Sequence, residues 1–162
     1  MCIRDRYCPK KITVEDLNFK DSNLSKQLNR IIRNCGRSVI NEKLDSLQNI
    51  QGIKIVTINA AYTSQECSNC HYVDKKNRKN QETFKCKNCR LSINADVNGA
   101  RVNRCRSSMP ELANIQLNRK AILRKIVTLF MERNPRLNSK ANSLLRENPY
   151  FKDVMEKLKQ AA

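Results

Sequence analysis

Two Cys-x-x-Cys pairs, Cys67/Cys70 and Cys86/Cys89, constrain this chain more than any other feature. The fifteen residues between the pairs match the spacing of a four-thiolate zinc ribbon. A Cys-x-x-Cys knuckle turns sharply enough to aim two sulfurs at one point. A short hairpin brings two such knuckles together and completes a tetrahedron around Zn²⁺. Binding the ion supplies folding free energy that so small an element cannot draw from a core of its own. Four thiolates leave no open coordination position, so a zinc held this way is structural.

The chain has eight cysteines, and the stretch from Met1 to Lys11 is short, charged and without an apolar run. That stretch does not read as a secretory leader, and no segment reaches the length of a membrane span. The thiols are therefore expected to be reduced and intracellular, with four on the metal. Cys2, Cys8, Cys35 and Cys105 lack paired spacing and read as ordinary thiols, Cys35 buried on a helix. A thioredoxin-like redox protein is disfavoured, because neither pair opens a helix of that kind.

Composition points to a polyanionic partner. Lys and Arg number 32 against 15 acids, a net charge of +17, and residues 67–106 carry 10 bases against 3 acids. Each phosphate that such a surface neutralises releases condensed counterions. Lys75, Lys76, Arg78 and Lys79 cluster on the hairpin between the cysteine pairs, as a solvated face or as a strip along a phosphate backbone. Aromatic residues are few and Trp is absent, so stacking platforms for single strands are not prominent.

Along the chain, residues 1–10 show no period and read as an unrelated or truncated start. Ile12, Thr13, Val14 and Leu17 predict a strand that ends at Glu15-Asp16-Leu17-Asn18. By itself Glu15 reads as a solvated turn residue. Ser22 or Asn23 can cap a helix whose apolar stripe is Leu24, Leu28, Ile31, Ile32, Cys35 and Val39, continuing at Ile40, Leu44 and Leu47. The stripe predicts core packing, with a kink or break at Gly36 and a stop at Gly52. Residues 53–58 form a β-branched run and predict a second strand, giving an α/β sheet with one crossover. After the ribbon, Asn94 can cap a helix from Ala95-Asp96 to about Cys105, where an acid in the first turn suits the helix dipole whatever its role. Beyond Pro110, amphipathic stretches predict helices near 115–131, 138–146 and 151–159, separated by Pro135 and Pro149.

Three stretches carry a resemblance: I-T-V-E-D-L-N-F-K at 12–20, A-Y-T-S-Q-E-C-S-N-C at 61–70, and C-K-N-C-R-L-S-I-N-A-D-V-N-G-A-R at 86–101. Together they resemble the C-terminal half of the TnpB family, the OrfB proteins of bacterial insertion sequences and relatives of compact type V CRISPR effectors. The resemblance covers about residues 11–105. It implies an α/β chain: a partial RNase H-like (RuvC) domain with an inserted four-cysteine zinc ribbon, followed by an α-helical tail. The implied segments are 11–62 (strand-helix-strand), 63–92 (ribbon), 93–106 (last RuvC-like helix) and 107–162 (tail of unknown role). It further implies an RNA-guided, metal-dependent DNA endonuclease with DNA and guide RNA as partners, transposon-associated or CRISPR-like, in a prokaryotic cytoplasm near the nucleoid. Glu15 and Asp96 match the second and third acids of the RuvC triad, and Cys67, Cys70, Cys86 and Cys89 match the ribbon ligands. Two Mg²⁺ ions cleaving a phosphodiester need hard carboxylate ligands of this kind.

The chain departs from the family's pattern in three places. The family's first Asp, on an upstream D-x-G strand, has no counterpart here, and the guide-binding half is missing. The knuckle positions usually held by Gly carry His71 and Arg90. His71, next to Cys70, has poor spacing for a substitute ligand. The tail after Pro110 matches nothing in the core family. The expectation is a C-terminal fragment of the nuclease that does not cut alone; the rival reading is a non-catalytic zinc-ribbon nucleic-acid binder.

Overall fold

The structure, a computed structural model, describes residues 9–16, 25–135 and 143–160. The chain forms two compact units, residues 1–57 and 58–162. The first unit holds β1 (Lys11–Asp16) and α1 (Lys26–Gln51), and β1 pairs with β2 (Lys54–Asn59) in a two-stranded sheet. The strand-helix-strand order and the mixed α/β class agree with the expectation. The suggested caps Ser22 and Asn23, the strand end at Leu17-Asn18, Cys2 and Cys8, and the side chain of Cys35 lie outside what is described.

Ser25 caps α1, its hydroxyl accepting the Leu28 N–H at 3.2 Å. The helix runs unbroken through Gly36 and ends at Gly52, whose φ of 64° lets its N–H reach back to the carbonyls of Gln48 and Leu47. The helix is not broken at Gly36: one glycine costs about 1 kcal/mol, too little to end a helix of 26 residues. A second expectation is corrected. The apolar stripe is not a core along its length, because Leu28, Ile31, Val39 and Ile40 are exposed while Leu47 is buried. Lengths explain this. Six-residue strands span about 20 Å, whereas α1 extends about 39 Å, so the two strands are too short to cover the whole helix.

The second unit is built around the ribbon. After a 3₁₀ turn at Lys75–Asn77 come β3 (Thr83–Lys85) and β4 (Ser92–Asn94), antiparallel with Phe84 opposite Ile93. Helix α2 (Ala95–Arg106) follows β4 directly, then α3 (Pro110–Ala113), α4 (Arg119–Arg133), α5 (Ser143–Glu147) and α6 (Pro149–Gln160). Asn94 caps α2 as expected, accepting the N–H groups of Asp96 and Val97 at 2.9 and 3.2 Å. Helix α4 starts four residues later than its apolar pattern suggests. Asn114 and Asn118 explain the delay: their side chains accept the Gln116 and Ala121 N–H groups, so the chain turns before it winds.

The core of this unit joins the ribbon to the downstream helices. Cys67, Cys70, Tyr72, Val73, Phe84 and Cys86 form one buried cluster with Ile122, Ile126 and Phe130 of α4, Leu145 of α5, and Phe151 and Val154 of α6. Tyr72 stacks on Phe151 at 5.2 Å between ring centroids, and Phe130 meets both rings. The segment expected to be a tail of unknown role thus supplies the floor of the ribbon. Of the apolar face that the spacing predicts, Ile122, Ile126 and Phe130 are buried and Leu129 is half-buried against the core.

Candidate metal centre

The two knuckles follow one backbone recipe. In the first, the Cys67 N–H bonds the Tyr72 carbonyl at 3.0 Å and the His71 N–H bonds the Cys67 carbonyl at 2.9 Å. In the second, the Cys86 N–H bonds the Leu91 carbonyl at 2.9 Å. Each turn needs a left-handed residue just after its second cysteine, and His71 and Arg90 fill those places with φ of 63°. Departure from glycine therefore leaves the turn geometry intact. Asn77, fully buried, ties one knuckle to the other: its amide donates to the Tyr72 carbonyl at 3.1 Å, and its oxygen accepts the Lys87 N–H at 3.0 Å.

These turns bring four sulfurs together. The Sγ atoms of Cys67, Cys70, Cys86 and Cys89 lie within 4.8 Å of one another, with Cys67–Cys89 and Cys70–Cys86 both at 3.6 Å. A tetrahedron with Zn–S bonds of about 2.3 Å has edges of roughly 3.8 Å, so the cluster has the size zinc requires. As free thiols, Cys67 and Cys86 donate to Cys70 and hold its thiolate down at about 2. The contact with Cys70 in turn pushes Cys67 up to about 12, and contacts with Cys67 and Cys70 push Cys86 up as well. Without an ion, one thiolate is favoured while Cys67 and Cys86 stay protonated, and a divalent ion bound there would displace those protons.

Beside the sulfurs lies a buried polar chain that periodicity and motif did not reveal. Glu66, His71 and Arg106 are all at most 1 % exposed. Glu66 Oε1 meets His71 Nδ1 at 2.6 Å, and Glu66 Oε2 accepts from Arg106 Nε at 3.0 Å and from its Nη2. Arg106 Nη1 donates to the carbonyls of Asn59 and Ala61 at 3.0 and 2.8 Å. On the far side of the imidazole, Arg133 Nη1 lies 2.6 Å from His71 Nε2. A guanidinium can only donate, so Nε2 accepts and Nδ1 carries the proton toward Glu66. His71 is thus engaged at both ring nitrogens and is not a metal ligand. Cys105, half-buried, lies with its Sγ 4.0 Å from the same Nε2, outside the four-sulfur group.

The predicted carboxylates fall in different units. Glu15 lies near the end of β1 and lines a groove of about 750 Å³ together with Asp16 and Asp45. Asp96 is exposed in the first turn of α2, its backbone N–H held by the Asn94 side chain. Of the hairpin bases, Lys75, Lys76 and Lys79 are exposed. Arg78 is half-buried and closes its own loop, donating to the carbonyls of Asn80 and Gln81 at 3.3 and 3.2 Å. Asn98, inside the N-A-D-V-N stretch but without a predicted role, is fully buried and hydrogen-bonded at both ends of its amide.

Comparison with known proteins bears on the same segment. Residues 38–102 match the family model described as "Cas12f1-like, TNB domain". The CRISPR-associated endodeoxyribonuclease Cas12f1 of Sulfoacidibacillus thermotolerans is 37% identical over 91 residues, which is 56% of this chain and 20% of that protein. The candidate RNA-guided DNA endonuclease InsQ of Escherichia coli (strain K12) is 36% identical over 107 residues, 56% of this chain and 26% of InsQ. A second Cas12f1, from Syntrophomonas palmitatica, is 55% identical over 38 residues, 24% of this chain and 8% of that protein. The matches thus span about a quarter or less of these relatives' lengths.

Proposed function

We propose, for a chain that belongs to the TnpB/OrfB family through its Cas12f1-like TNB domain, a role as the zinc-ribbon and partial RuvC portion of an RNA-guided DNA endonuclease. The observation that carries the reading is the junction of ribbon and helix. Asp96 opens α2 seven residues beyond Cys89, exposed and with its backbone fixed by the Asn94 cap. An acid presented that way can reach a divalent ion at a scissile phosphate.

In this reading the four thiolates hold structural zinc, and Glu15 and Asp96 supply hard oxygen ligands for Mg²⁺. Bound there, Mg²⁺ would activate water and stabilise the leaving oxygen of the phosphodiester. Lys75, Lys76 and Lys79, exposed along the hairpin, neutralise the phosphates of the DNA. Guide RNA is a partner of the assembled nuclease. Because only two of three RuvC acids have counterparts, the chain alone does not cut DNA.

The test is complementation. The purified chain should carry one zinc and leave a supercoiled plasmid intact with Mg²⁺. Joined to an upstream half bearing the D-x-G strand and its guide RNA, it should cleave, and Asp96→Ala or Glu15→Ala should each abolish that cleavage. Cleavage by the chain alone would refute its incompleteness, and indifference to both substitutions would refute the acids. Zinc-dependent DNA binding without complementation would instead make it a non-catalytic ribbon.

A further inference from the structure

Helix α2 is fastened to both knuckles of the ribbon. Its start is tied to the second knuckle through the chain itself: Cys89 leads into β4, Asn94 of β4 pairs with Thr83, and the Ala95 N–H bonds the Glu82 carbonyl at 2.7 Å. Its tie to the first knuckle is Asn98. With its side chain fully buried, Asn98 accepts the Ser68 N–H on Oδ1 at 3.0 Å and donates from Nδ2 to the Glu66 carbonyl at 2.8 Å. Glu66 and Ser68 flank Cys67. One side chain therefore grips the backbone on both sides of a zinc ligand, and it sits two residues after Asp96. At the other end of the helix, Arg106 holds the segment that enters the same knuckle, through Asn59, Ala61 and Glu66.

We propose that Asn98 is a positioning residue for Asp96, acting from the zinc-closed first knuckle, so that zinc occupancy governs where the Asp96 carboxylate stands. An amide suits this task better than a hydroxyl or a carboxylate, because the site needs one donor and one acceptor in fixed opposition. Zinc is then more than a staple for the ribbon: it acts through Asn98 on the first turn of α2. The functional meaning rests on the reading of Asp96 as a metal-binding acid. The placement does not, and it is measured separately from cleavage.

The test uses amide hydrogen exchange on the full chain, with cobalt in place of zinc to report the four-thiolate centre by its absorption bands. In the metal-loaded wild type, the amides of Asp96–Ala100 should be protected. Chelation should release them, and Asn98→Ala should release the same turn with the cobalt bands retained. The rise in exchange should be roughly 10- to 100-fold, the loss of two buried hydrogen bonds. Asn98→Asp keeps the acceptor for Ser68 but sets an oxygen against the Glu66 carbonyl in place of the donor, so it should release the turn as well, and it decides the matter if Asn98→Ala does not fold. Asn148→Ala serves as a control. It removes three side-chain bonds, to the Tyr72 hydroxyl, the Val73 carbonyl and the Tyr150 N–H, and should leave Asp96–Ala100 protected. Unchanged protection in both Asn98 variants would overturn the proposal. So would loss of the cobalt bands with general exposure through α4, or an equal release in Asn148→Ala. Failure of the acids in the complementation assay would leave these outcomes untouched.

Discussion

His71 and Arg90 occupy equivalent places after the second cysteine of each knuckle, both left-handed, yet substitution should affect them in opposite ways. A non-glycine residue there costs about 1–2 kcal/mol, of which glycine's greater freedom in the unfolded chain returns about 0.5–1. Arg90 is exposed, so Arg90→Gly should be neutral or stabilising by up to about 1 kcal/mol in chemical denaturation of the zinc-loaded chain. His71→Gly relieves the same strain but strips the link between Glu66 and Arg133, leaving a buried carboxylate short of one partner. It should destabilise. Arg106→Leu is expected to cost more, about 3–5 kcal/mol in the same measurement, because it leaves Glu66 charged and buried without its cation. Little of this was legible beforehand. The sequence marks where the turns fall and that glycine is absent from them, but Arg106 reads as one more surface base in a basic chain. Burial of a charge depends on partners far along the chain, which local patterns do not record.

At the scale of elements, the ribbon and the downstream helices form one folding unit. Three rings, Tyr72, Phe130 and Phe151, come from the first knuckle, α4 and α6, and Asn148 at the head of α6 donates to the Tyr72 hydroxyl at 2.8 Å. Phe151→Ala should therefore cost about 3–5 kcal/mol. Because that packing supports the knuckle, zinc affinity should fall with it, and competition against a chromogenic chelator would measure the drop. Unchanged affinity would mean that the ribbon folds without its floor. The elements themselves were largely readable: the Asn94 cap, the Gly52 stop and the apolar face of α4 all follow from spacing. What α1 and α4 pack against was not. A helical stripe says that a face is apolar, and only the neighbouring elements decide how much of it is covered. Six-residue strands cannot cover the whole of α1, whereas the knuckle and α6 enclose α4.

Over the whole molecule, the net charge of +17 sets the terms of binding. If Lys75, Lys76 and Lys79 lie on phosphates, replacing all three with Ala should lower the slope of log affinity for DNA against log salt by roughly 2 to 3. A uniform loss at every salt concentration would assign them another task. The cysteine spacing made the four-sulfur cluster legible, because metal geometry admits few spacings. Glu15 and Asp96 were singled out only through family likeness, since an exposed Asp in a helix's first turn has a sufficient local explanation. The sharing of the ribbon's floor with α6 also bears on synthesis. Cys89, the last of the four clustered thiols, leaves the ribosome about sixty residues before Phe151 does. If the cluster takes an ion, a nascent chain can collect it early, but a tight grip must wait for α6, so a product terminated before Phe151 would surrender its metal to any competing cellular buffer.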